Sequence, residues 1–166
     1  MQRAAIYPGT FDPLTNGHMD IVCRSLHIFD KVIISVAPSY KKQPLFTVEE
    51  RVELIQKATE NMPGVSVEVL KGLLADYFRE KQEVVAVVRG LRAVSDFEYE
   101  LQMALMNQRL NMAIETVFMM PSEENTFLTS TSVKEVAFFG GDIREFVPKI
   151  IADALYEKLR ISSVKY

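Results

Sequence analysis

With a single cysteine in 166 residues, the chain cannot close an intramolecular disulfide. Cys23, set within an apolar helical pattern, reads as a small buried hydrophobe and not as a reactive thiol. That usage fits a reducing compartment. Basic charge is not in excess either: 19 Lys and Arg stand against 22 Asp and Glu, for a net charge of −3. This excludes a global attraction to nucleic acid or to an anionic membrane, so affinity for phosphates must come from a local basic cluster. No apolar stretch reaches signal or membrane-spanning length, and Met1-Gln2-Arg3 runs directly into a strand-like segment; a cytoplasmic protein with no membrane partner is expected. Internal repeats, low-complexity tracts and linkers are missing too. What the chain does have is 48% hydrophobic residues, enough for one well-buried core, and its length is that of a single domain over 1–166.

Short apolar runs alternate with longer segments of helical period, the pattern of βαβ units around a parallel sheet. Five strands are predicted: Ala4 to Tyr7, Val32 to Ala37, Val65 to Leu70, Val84 to Val88 and Thr116 to Met120. Their continuous apolar character implies burial on both faces, hence a doubly wound α/β sheet with helices on each side. Thr47 to Glu50 and Ser95 to Glu98 both match a capping box, in which the hydroxyl accepts from an orphan amide while the Glu reaches back. The first helix should start near Asn16 or Gly17 and bury Val22, Leu26 and Phe29. Gly140-Gly141 should close a helix opening near Thr131, and Pro148 should sit in the first turn of a last one carrying Ile151, Leu155 and Leu159.

The irregular, chemically rich segments all follow strands: Pro8 to Pro13, Tyr40-Lys41-Lys42, Gly72-Leu73-Leu74, Arg89 to Arg92, and Pro121 to Thr131. In an open α/β sheet ligands bind outside the carboxyl ends of the strands, so one composite site is predicted there. Gly9 and Gly17 would let backbone approach a ligand closely, Thr10 offers a hydroxyl, and His18 falls in the first turn of a helix whose amides favour an anion. The helix end disfavours a charged imidazole and a bound phosphate favours it, so both protonation states of His18 remain open.

Thr15-Asn16-Gly17-His18 matches the (H/T)xGH signature of the nucleotidyltransferase superfamily, and Thr129 to Lys134 resembles its second signature, ISSTxIR. Tyr7 to Pro13, Arg89 to Val94 and Asp96 to Glu100 are similar to stretches particular to the phosphopantetheine adenylyltransferase family. The likeness covers nearly the whole chain in the same order, and the combination is far more specific than the tetrapeptide alone. It implies a Rossmann-like, doubly wound five-stranded parallel sheet and transfer of an adenylyl group from ATP to 4′-phosphopantetheine, giving dephospho-coenzyme A. A homohexamer, Mg²⁺ bound mainly through ATP phosphates and water, and inhibition by coenzyme A are implied as well.

Residue by residue, the resemblance places Thr10 and His18 on the phosphates at the reacting centre. Lys42 and Arg89 fall on the pantetheine phosphate, with Thr10 also on that substrate and Leu74 beside its arm. ATP falls to Phe11, Gly90, Leu91, Arg92, Glu100 and the run Asn125, Thr126, Phe127, Leu128, Thr129, Ser130 and Thr131, together with Thr10 and His18. Asn125 stands where the family commonly has Trp or Tyr, so adenine packing should differ.

The chemistry agrees with that assignment. A phosphomonoester dianion must approach a tetra-anionic nucleotide, so repulsion and orientation are the main obstacles, and cationic donors on both reactants are what an enzyme needs. Lys42 and Arg89 would supply them to the acceptor and Arg92 to the outgoing phosphates, while Thr10 and His18 would meet charge growing on the α-phosphate. No dense carboxylate cage for a metal is visible, and Asp12 is as well explained by ordering its loop. Met103, Met106, Met112, Met119 and Met120 read as core or subunit-interface filler. A nucleotidyltransferase with another acceptor and a non-catalytic nucleotide sensor are the competing readings; Lys42 and the joint presence of both phosphate-binding sets argue against them.

Overall fold

The computed structural model describes residues 3–39 and 43–163. One sheet of five strands runs through it: β1 (Ala4–Gly9), β2 (Lys31–Val36), β3 (Val65–Val69), β4 (Val84–Gly90) and β5 (Thr116–Met119). The order is β3-β2-β1-β4-β5 and all four pairings are parallel. Between and after the strands lie α1 (Asn16–Ser25), α2 (Val48–Ala58), α3 (Leu74–Glu80), α4 (Val94–Leu110), a 3₁₀ turn (Glu123–Asn125), α5 (Ser130–Phe138) and α6 (Lys149–Ser163). This is the predicted doubly wound α/β architecture.

Alternation along the strands sends side chains into two separate cores. Ala5, Tyr7, Val32, Ile34, Val36, Ala86 and Val88 pack with α1, α2, α5 and α6; Ala4, Ile6, Ile33, Val84 and Val87 pack with Ala75, Tyr77 and Phe78 of α3. A register shift between Ala4 and Ala5 leaves Val85 as an extra residue on β4, which is why Val84 and Val87 share a face.

The switch point lies between β1 and β4. Their pairing stops at Ile6 and Val87, whereas β1 stays registered with β2 as far as Gly9. Pro8, which has no N–H to donate, therefore sits beyond the β4 ladder, where none is required. Both strands outrun their predicted ends, so Pro8, Gly9, Arg89 and Gly90 are sheet residues and the rich segments begin inside the strands. In the other direction, Ala37, Leu70 and Met120 fall just outside β2, β3 and β5.

The predicted helix ends follow local chemistry with one exception. Thr47 and Glu50 form the predicted box, and Gly140 at φ 78° closes α5. Pro148 precedes α6 and its carbonyl accepts from Ile151 and Ala152, while Ile151 and Leu155 are buried as expected. The cap is not at Ser95: α4 starts earlier, with Ala93 at the cap, and Asp96 accepts from the Arg92 amide. Cys23 is exposed, because the buried stripe of α1 is Ile21, Val22 and Ser25 and the next residue turns toward solvent. Val22 and Phe29 are buried and Leu26 is half-buried.

Of the five methionines singled out in the sequence, Met119 packs on the larger core, but Met103, Met106, Met112 and Met120 are exposed. For those four the core reading is corrected. Among the described residues, no helix is long and apolar enough to cross a membrane.

Candidate active site

A cavity of about 600 Å³ opens at the carboxyl ends of β1 and β4. Of the residues assigned from sequence, Thr10, Phe11, His18, Arg89, Gly90, Arg92, Glu100, Asn125, Leu128, Thr129, Ser130 and Thr131 line it. Leu74 opens α3 away from these walls, Leu91 bonds its amide to Met119, Thr126 bonds Ser122, and Phe127 packs edge-on against Phe146. Lys42 lies outside the described residues.

His18 is fixed by its own helix end. Thr15 caps α1, and its amide donates to His18 Nδ1 at 3.0 Å, while the Thr15 hydroxyl lies 3.0 Å from the same nitrogen. An amide can only donate, so Nδ1 carries no proton, and the ring is neutral with its N–H on Nε2. Burial pushes the imidazole pKa down to about 4, helped by Arg92 and Arg89. Phe11, held at φ 49°, is buried edge-on against the imidazole at 5.1 Å. Gly9 is demanded by that ring, since a Cβ there would stand 2.8 Å from Phe11 Cζ. The Phe11 ring by itself accounts for this glycine, which also lines the cavity.

The start of α1 is less open to an anion than expected. Asn16 donates its amide to Phe146 and His18 to Thr15. α5 is the other helix start at the cavity: Thr129 caps it in a box with Ser132, and the first-turn amides of Ser130 and Thr131 are donors that a helix leaves without intrahelical acceptors. Ser130 Oγ is committed to the Pro13 carbonyl at 2.7 Å.

The two arginines are held from different sides. Arg89, on the same sheet face as Val87, forks onto Glu100 of α4 through Nε at 2.7 Å and Nη2 at 2.6 Å. Its Nη1 reaches the Pro8 carbonyl at 2.5 Å. A second N–H on each terminal nitrogen remains for a ligand. Burial opposes the charge on Arg89, but the Glu100 carboxylate outweighs it and holds the pKa above the usual arginine value. Glu100 is thereby an orienting partner of Arg89. Arg92 is braced by Asp96 and by the Leu128 carbonyl, each at 3.2 Å.

Sequence reasoning missed Lys134, Tyr7 and Asp96 as contributors. Lys134 lines the cavity and pairs with Asp12 at 2.7 Å. Asp12 also accepts from the Leu45 and Phe46 amides, so it orders the loop, as one of its two readings held. The signal for Lys134 was its place in the second signature. Tyr7 is buried beneath the cavity, and burial raises its hydroxyl pKa.

The arrangement brings a neutral imidazole donor, two braced guanidiniums, an ammonium and a helix start into one basin, a set suited to polyphosphate and not to nucleophilic catalysis. The cytidylyltransferase-like family model matches residues 6–136. The chain is 55% identical over 161 residues to a phosphopantetheine adenylyltransferase from Thermodesulfovibrio yellowstonii, covering 96% of this chain and 99% of that one. It is 49% identical to a phosphopantetheine adenylyltransferase from Caldanaerobacter subterraneus, over 96% and 99%. In fold it is similar to a protein assigned as a nicotinate-nucleotide adenylyltransferase from Vibrio parahaemolyticus, with TM-score 0.70 at 19% identity over 96% and 95% of the two chains. A bifunctional NMN adenylyltransferase/ADP ribose pyrophosphatase from Francisella tularensis gives TM-score 0.72 at 14% identity, over 96% of this chain and 50% of that one.

Proposed function

The chain belongs to the cytidylyltransferase-like family and, within it, to the phosphopantetheine adenylyltransferases, and we propose that its basin moves the adenylyl group of ATP onto the phosphate of 4′-phosphopantetheine. Dephospho-coenzyme A and pyrophosphate are the products, a step of coenzyme A biosynthesis. The observation that carries this reading is the meeting of the anchored, neutral His18 with Arg89 and Arg92 at the switch point.

In that basin an acceptor phosphate oxygen attacks the α-phosphorus in line as the bond to the β-phosphate breaks, and no covalent enzyme intermediate forms. His18 Nε2–H and the Thr10 hydroxyl donate to the α-phosphate oxygens where charge develops. Arg89 and Lys42 hold the acceptor phosphate, with Leu74 toward its arm. Arg92 and the first-turn amides of α5 receive the departing phosphates. Phe11, Gly90, Leu91 and the run from Asn125 to Thr131 border the nucleotide.

Mg²⁺ fits as an ion held by phosphate oxygens and water. Both oxygens of Asp12 and of Glu100 are taken by protein donors, and among the described residues no group of three or more His, Cys, Asp or Glu could hold a metal. When bound, it neutralises phosphate charge. The exposed apolar residues of α4, Leu105, Met106 and Leu110 among them, support assembly as a homohexamer. Occupation of the acceptor site by coenzyme A, which shares the pantetheine arm, and a cytoplasmic location complete the reading.

Pyrophosphate release from ATP, measured alone, with 4′-phosphopantetheine and with nicotinamide mononucleotide, tests it. Release only with 4′-phosphopantetheine is expected. Release with the mononucleotide instead overturns the acceptor, and ATP binding without release under any condition makes the protein a sensor.

A further inference from the structure

Two charged side chains stand in the buried set of the described residues, Asp12 and Arg51. Arg51, on α2, is 2% exposed, and its bonds go to carbonyls. Nε donates to Phe46 and Thr47, both at 3.2 Å, and Nη1 to Thr10 at 2.5 Å and Ala37 at 3.0 Å. Burial of the guanidinium lowers its pKa, against the opposing pull of Asp12 and Glu49. A buried charge without a directly bonded counterion is a poor source of stability, and an apolar side chain of similar volume would serve a core better. What the guanidinium supplies is geometry: one rigid group fixes three backbone segments relative to each other.

Those segments bound the site. Thr10 follows β1, Ala37 follows β2, and Phe46-Thr47 lead into α2. Asp12 grips the last of them from the other side through the Leu45 and Phe46 amides. Between Ala37 and Leu45 runs the loop that brings Ser39, Gln43 and Pro44 to the cavity and carries Lys42 in sequence.

We propose that Arg51 is a positioning residue for the transfer reaction: by holding the Thr10 carbonyl together with the Ala37 and Phe46 carbonyls on either side of the loop, it sets the Thr10 hydroxyl in register with Ser39, Gln43 and Pro44. This rests on the reading that Thr10 meets the transferring phosphate and that the loop holds the acceptor.

The test compares wild type, Arg51→Lys, Arg51→Met, Thr10→Ala and the Thr10→Ala/Arg51→Lys double variant, by steady-state kinetics with ATP and 4′-phosphopantetheine and by thermal melting. Lysine keeps the charge and stem but not the fork. Arg51→Lys should remain folded, lose about 10-fold to 100-fold in kcat, and raise KM for the acceptor more than for ATP. Arg51→Met should lose at least as much; if it does not fold, the lysine variant carries the test. In the Thr10→Ala background the kcat loss from Arg51→Lys should shrink, because the hydroxyl it positions is gone. Additive losses, or a lowered melting temperature with wild-type kcat and KM values, overturn the inference while leaving the proposed reaction intact. A wild-type protein that forms no dephospho-coenzyme A, or a Thr10→Ala variant with wild-type turnover, overturns the reading and this inference with it.

Discussion

The two faces of the sheet are finished to different degrees. On one, four helices bury a core that reaches from Tyr7 and Phe11 to Leu155. On the other, α3 covers a smaller cluster, and α4 flanks it with Phe97, Leu101, Leu105, Met106 and Leu110 still exposed. The site draws on both. His18 and its cap come from α1 on the well-covered face, whereas Arg89 points to the other face and takes its orientation from Glu100 on α4. The imidazole is thus set by local capping inside a completed core, and the arginine by a helix whose outer surface leaves apolar side chains exposed. The two kinds of placement meet in one cavity.

Removing the group from the completed side should have the largest effect. His18→Ala should reduce kcat by roughly 10² to 10³ with ATP affinity little changed, the scale of a lost transition-state donor. Pyrophosphate-release kinetics beside calorimetric ATP titration would check this. Near-normal turnover would remove the imidazole from the chemistry.

On the other face, Glu100→Gln keeps the shape but removes the carboxylate charge that braces Arg89. Acceptor KM should rise about tenfold, the scale of one weakened charge-assisted contact, with KM for ATP moving less. Equal shifts for both ligands would instead place Glu100 on the nucleotide. A smaller effect is expected from Met106→Glu at the outer surface of α4. Sedimentation velocity should show a shift toward smaller species, and turnover should fall only a few-fold, since α4 loses support and not a contact group. An unchanged assembly with unchanged turnover would show that this part of α4 needs no partner.

The smallest effect concerns protons. His18 should titrate near pH 4 in the free protein, read from its ring resonances by NMR, and higher once a phosphate ligand sits against it. Its folded pKa lies below the unfolded value near 6.5, so the unfolded chain takes up the proton first as pH falls. The contribution of neutral His18 to stability is therefore complete above about pH 6.5 and is lost as pH falls through about 4. A His18→Gln variant should lack that component of the wild-type pH–stability profile. A free-enzyme midpoint at or above 6.5 would contradict the Nδ1 acceptor role.

Local rules carried the elements furthest where they rest on neighbours in sequence. The Thr47–Glu50 box, the Gly140 terminus of α5 and the continuous strand runs are contests within a few residues, and they came out as read. The cap expected at Ser95 lies at Ala93 because another local solution, Asp96 on the Arg92 amide, is available. Cys23 failed because α1 buries a narrower stripe than its apolar pattern implied. In the site, the signatures named most of the lining residues, but not how the charges are shared. That Glu100 braces Arg89, that Lys134 answers Asp12 across 122 positions, and that Arg51 reaches Thr10 depend on which strands become neighbours.

By itself the sequence determined the alternation of strands and helices, the edge of the sheet at which the chemistry gathers, and the family, because periodicity, capping and signature spacing are properties of short stretches. The tertiary structure alone decided the burial and the neighbouring arginines that lower the His18 pKa, the division of labour between Arg89 and Glu100, and the burial of Arg51. These follow from dielectric and from distances between segments far apart in the chain, and the parallel order β3-β2-β1-β4-β5 sets both.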